Sequence, residues 1–114
     1  MFKIAQNPTY KWPVKVHIPA DGGKFVTATF DAEFKALPQD EIDRIIEAGR
    51  DGDREADLTR EFLVGWKGVQ DEDGSDLPFS EEAKAKVINI AYVRNALVTA
   101  FFDSITGNAA RRKN

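Results

Sequence analysis

Asp71, Asp73 and Asp76, with Glu82 eleven positions after Asp71, are the residues of this chain whose types and spacing come nearest to chemistry. Carboxylates at that spacing between two helical segments suggest a calcium loop. Such a loop needs oxygen ligands at positions one, three, five and twelve and a glycine at six. Here Ser75 stands at five, Asp76 takes the glycine position, and Gly74 comes two places early. Pro78 occupies the place of the usual central apolar residue. The segment therefore reads as an acidic turn rather than a metal site.

His17 is the single histidine, and no Ser, Cys or second His is spaced to form a triad or a zinc set with it. Asp21-Gly22-Gly23 lacks the Gly-Lys-Ser/Thr that a phosphate loop requires. The remaining acids fall on expected helix faces and loops, not in a cleft that would drive two carboxyl pKa values apart. With no cysteine in 114 residues, disulfides, Cys-ligated zinc and thiol catalysis are excluded. A non-enzyme that takes no cofactor is the expectation.

The elements that carry these residues follow from periodicity. Tyr10, Trp12, Val14, Val16 and Ile18 alternate with Lys11, Pro13, Lys15 and His17, as a half-buried strand requires. Pro13 removes a backbone donor and places that strand at an edge or a bulge. Pro19-Ala20-Asp21-Gly22-Gly23 is a turn. The return strand puts Val26, Ala28, Phe30, Ala32 and Phe34 on one face, giving a hairpin over about 9–35. A two-stranded ribbon is marginal alone in water, so that face must cover helices or another subunit.

After Pro38 the period becomes helical. Ile42, Ile45, Ile46 and Gly49 share one face, and residues 49–53 break the helix. A second helix presents Leu58, Phe62, Leu63 and Trp66 on one stripe and ends at Gly65 and Gly68. Ser80 is an expected N-cap, with Glu81 and Glu82 in the first turn of a helix through Val87, Ile88 and Ala91. That helix either breaks near residues 89–92 or continues through Val93, Leu97, Phe101 and Ile105 to Gly107. The expected fold is α+β: an N-terminal antiparallel β-hairpin followed by three to four α-helices (about 38–107) in one compact domain. Residues 108–114 read as a loose basic tail.

Charge is distributed in blocks. Residues 1–37 carry five Lys against three acids, residues 38–82 fifteen acids against five bases, and residues 83–114 six bases against one acid. The acidic middle opposes a nucleic-acid reading of Arg111-Arg112-Lys113 and Lys84/Lys86. It suits association of copies of the chain, and a homo-oligomer is expected. No window reaches the ~18 apolar residues of a membrane span. The opening Met1–Pro8 segment is expected not to be a signal peptide, and a cytoplasmic location follows. Phe62, Trp66, Leu97, Phe101 and Phe102 are the residues expected to supply a self-association or partner surface, because the apolar stripes exceed what one small core can cover.

Several stretches together resemble the tail assembly chaperones of long-tailed bacteriophages. They are Pro19-Ala20-Asp21-Gly22, Thr29–Leu37, Val64-Gly65-Trp66-Lys67-Gly68-Val69, Asp73-Gly74 with Leu77-Pro78-Phe79-Ser80, the helical Val93–Phe102, and the ending Gly107-Asn108 to Lys113-Asn114. The resemblance implies a protein that binds the helical tape measure protein, keeps it soluble and is displaced as tail tube subunits polymerise. It further implies action in the host cytoplasm and absence from the mature virion. A small structural tail protein of the virion, a tube or terminator subunit, is the alternative.

Overall fold

The computed structural model describes Ile4, residues 9–48 and residues 53–107. Strands β1 (Thr9–Ala20) and β2 (Lys24–Lys35) form the expected antiparallel hairpin, in register from Thr9↔Lys35 to Ala20↔Lys24. Four helices follow, α1 (Gln39–Ala48), α2 (Asp53–Phe62), α3 (Glu81–Ile88) and α4 (Ala91–Thr106), so the domain is α+β as expected. The expected loose tail and residues 49–52 of the expected helix break lie outside the described residues.

One element differs from the sequence reading. The Leu63–Lys67 segment is a third strand, β3, antiparallel to β2, which makes a sheet of order β1-β2-β3. Helix α2 stops at Phe62, and the chain enters β3 with no intervening loop. Phe62 and Leu63 are adjacent yet both fully buried. A change from helical to extended backbone aims consecutive side chains inward from different surfaces, which an uninterrupted helix stripe cannot do. Trp66 therefore lies in a strand, opposite Ala32, and the register slips between Glu33 and Phe34 so that Val64 bulges outward.

β1 is an outer strand, as Pro13 requires. Pro13 and Pro19 stand opposite Asp31 and Phe25, at positions of the same parity. Proline has no N–H for the ladder, so both nitrogens face away from β2, and the outer edge loses two donors.

The core lies between the inner sheet face and the helices. Val14, Val16, Ala32 and Phe34 from the sheet meet Ile42, Ile45, Leu58, Phe62, Val87, Ile88, Leu97 and Phe101. Ile46, expected on the buried face of α1, stays at its rim. Ser80 caps α3 as expected, its Oγ accepting from the Ala83 amide at 3.0 Å. Asn89-Ile90 then separates α3 from α4, and Gly107, at φ 73°, closes α4 through a hydrogen bond from its backbone N–H to the Asp103 carbonyl. That left-handed position suits glycine, which has no Cβ to clash.

α4 packs on β1 and runs against it, the start of β1 lying at the end of α4 and Val16 and Ile18 lying near its beginning. The Tyr10 hydroxyl meets Ser104 Oγ at 2.7 Å near the C-terminal end of α4. Ser104 spends its own proton on the Phe101 carbonyl, so Tyr10 donates. A 16-residue helix spans about 24 Å, whereas a 12-residue strand spans about 40 Å. The helix therefore runs out near Val16, and the distal part of the hairpin overhangs. The rest of the chain covers the hairpin's apolar face only in the proximal half: Phe34 and Ala32 are buried, Phe30 half-buried, Ala28 exposed and Val26 57% exposed. Among the described residues no helix is long and apolar enough to cross a membrane.

Candidate protein-docking site

The overhang leaves an open, mostly apolar groove between the arm and the helices, with a volume of about 290 Å³. Val16, Ile18, Ala28 and Phe30 of the arm form one wall; Leu77, Val87, Ile90 and Val93 contribute to the other. Tyr92 stands at the mouth, 37% exposed. Beyond the groove the tip carries Val26 on the same face and Phe25, 65% exposed, on the opposite one. Phe25 meets His17 edge-on at 6.4 Å, so the histidine sits on the outer face of the arm, as its place in the alternation requires.

The loop 70–76 forms the polar rim. A Gln70↔Asp76 bridge and the Leu77 amide on the Val69 carbonyl at 2.9 Å close it into a small hairpin. Two of its carboxylates bond within the loop or to its neighbour. Asp71 Oδ1 accepts from its Glu72 amide and from Lys86 Nζ at 3.3 Å. Asp73 accepts from the Ser75 hydroxyl and, at 3.0 Å, from the Ser75 amide, and these bonds hold its carboxyl below the ordinary 3.8. Among the described residues no group of three or more acids and histidines is placed to hold a metal ion. The loop is fixed by two flanks. Trp66 Nε1 donates to the Leu77 carbonyl at 2.8 Å and its ring meets Phe79 edge-on at 4.8 Å. Lys84, 8% exposed, donates from Nζ to the Arg60 carbonyl at the end of α2.

The five residues expected to form a partner surface are divided by the fold. Phe62, Leu97 and Phe101 have no exposed surface. Phe62 and Phe101 stack, Phe34 meets both edge-on, and Phe102 joins Phe101 at 5.7 Å from the rim. Only Trp66 and Phe102 keep accessible area, and neither lines the groove. The groove residues entered the sequence reading as parts of strands and helices, without a binding role. Their signal was present: the alternation at Ile18, Val26 and Ala28 continues beyond the length that one helix can cover.

No curated protein and no solved structure matches the chain. Residues 32–114 do match a family, from the middle of β2 through all the helices, leaving the distal arm outside the matched stretch. On that match, which spans most of its length, the chain belongs to the YdaY prophage protein family.

Proposed function

We propose that this prophage protein is a tail assembly chaperone: a non-enzymatic binder of the tape measure protein that keeps it soluble and competent for tail tube polymerisation. The observation that supports this reading is the overhanging arm with its apolar groove. An amphipathic helix of the client buries its apolar stripe there, and its polar side stays in water beside the rim. The groove is short, so one copy covers only a few helical turns of an elongated client. Several copies along the same client turn weak single contacts into firm retention. The protein acts in the host cytoplasm and leaves before the virion is complete.

Co-expression with the large helical protein of the same gene cluster tests the reading. The expected result is co-purification and a higher soluble yield of that protein, lost when Tyr92 and Val93 are replaced by Asp. An insoluble client whose yield ignores this chain overturns the proposal. Recovery of the chain from purified virions favours a structural tail subunit instead.

A further inference from the structure

The overhanging arm is both a wall of the groove and an unfilled tongue. Its inner face reads Ala20, Ile18 and Val16 on β1 and Lys24, Val26 and Ala28 on β2, each opposite its partner in register. Along β1 the face becomes more exposed toward the tip, Val16 being buried, Ile18 half-buried and Ala20 exposed, and Val26, opposite Ile18, is 57% exposed. β3 pairs only with Asp31–Phe34, so among the described residues the distal arm is a two-stranded ribbon with no third strand beside it. Such a ribbon is marginal in water until its apolar face is packed. The outer edge of β1 is a poor site for strand addition, because Pro13 and Pro19 remove donors there and Lys11 and Lys15 occupy neighbouring positions. The available surface is the inner face.

We infer that, in the absence of client, a second copy of this chain fills the groove, the arm of each copy lying in the groove of the other. Two features select this occupant. Tongue and groove are adjacent on one chain, so a single two-fold operation covers both exposed arms and both grooves, the self-complementary arrangement of a two-fold dimer. Charge also matches. Lys24 lies at the leading end of the inner face, and the groove rim carries Asp71, Glu72, Asp73 and Asp76 with Lys86 as the neighbouring cation. Asp71 is already engaged by Lys86 and Asp73 by Ser75; of the other two, Glu72 is exposed on the lining of the groove and Asp76 is not part of that lining, so Glu72 is placed to receive Lys24. The dimer is then a closed resting state, and client binding at the same groove proceeds by displacing the partner's arm. This inference rests on the proposed docking reading only in naming the same groove.

Sedimentation of the purified full chain, with no client present, separates the two claims. A mass of twice 12.7 kDa in the micromolar range is expected. Val26→Asp is expected to weaken the dimer by roughly tenfold or more while the far-ultraviolet circular dichroism stays unchanged. Lys24→Glu and Glu72→Lys each weaken it, and the doubly substituted chain regains the dimer. Because both positions are exposed, these two variants serve as the test if Val26→Asp fails to fold. Because the chain has no cysteine, a Val26→Cys chain mixed with a Tyr92→Cys chain is expected to form a mixed disulfide across the contact when an added oxidant such as oxidised glutathione takes up the two electrons. A monomer throughout the micromolar range, or a charge swap that restores nothing, overturns the inference and leaves the client reading standing.

Discussion

Phe62 and Phe101 lie face to face, their ring centroids 4.2 Å apart and their planes within 2° of parallel. Phe62 ends α2 and Phe101 lies in the second half of α4, so this stack joins the two helices at the centre of the core. Phe34 closes on both rings edge-on, at 5.1 and 5.8 Å, and ties the stack to the middle strand of the sheet. The three aromatics hold the sheet base, α2 and α4 together.

Removing one ring of the stack is therefore costly. Phe101→Ala is expected to destabilise the fold by about 3–5 kcal/mol, because it removes buried area and leaves a cavity that rigid neighbours fill only in part. Phe102→Ala, half-exposed at the rim, is expected to cost about 1–2 kcal/mol. Urea unfolding of the two variants measures the difference. Equal losses would contradict the placement of Phe101 in the core.

The buried end of Lys84 gives a second expectation. Its ammonium satisfies a carbonyl at the C-terminus of α2, where the helix dipole favours a cation. Lys84→Met keeps the stem but removes the donor, for an expected loss of about 1–3 kcal/mol. Lys86→Met removes only a half-exposed pair with Asp71 and is expected to cost less than about 1 kcal/mol. Denaturant midpoints rank the pair.

Asp73 supplies the pH dependence. Its folded pKa is depressed below 3.8 by the Ser75 hydroxyl first and the Ser75 amide second. A depressed folded pKa means that the bonds favour the ionised form. Their contribution is complete above the unfolded value and disappears as pH falls through the folded one. The window is therefore acidic, below about pH 4. Carboxyl-carbon NMR titration is expected to give an Asp73 midpoint below 3.8 and, in Ser75→Ala, a midpoint moved upward. An unchanged midpoint in that variant would show that the hydroxyl is not the cause.

Gly68 follows β3 with φ 89°, and a Cβ there would meet ordinary packing against Phe30 at 3.8 Å. Space is thus not the obstacle; backbone conformation is. Gly68→Ala is expected to cost about 1–2 kcal/mol, and thermal melting measures it. A neutral effect would mean that the turn relaxes to negative φ.

Both strands of the hairpin, the helical part with three to four helices, the Ser80 cap and the Gly107 stop were legible because each rests on local pattern: alternation, helical spacing, and residues suited to caps. Local pattern leaves open whether the chain breaks near residues 89–92. The third strand was not. Leu58, Phe62, Leu63 and Trp66 fit a helical stripe almost as well as they fit a helix followed by a strand, and only pairing with β2, some thirty residues earlier in the chain, decides between them. The burial of Phe62, Leu97 and Phe101 was hidden for a related reason. Phe62, Leu97 and Phe101 are apolar and well spaced, but spacing does not say which stripes find one another. The groove depends on a difference in length between a strand and a helix, and that difference is visible only once α4 is known to lie on β1.

The direct passage from Phe62 into Leu63 has a consequence for how this domain opens. With no loop between α2 and β3, the helix cannot detach without pulling its strand from β2, and the pair behaves as one lever hinged on the sheet. Amide protection should then follow two regimes: slow, shared exchange across α2, β3 and the sheet base, and faster exchange along the distal arm. The arm can thus open while the lever stays closed.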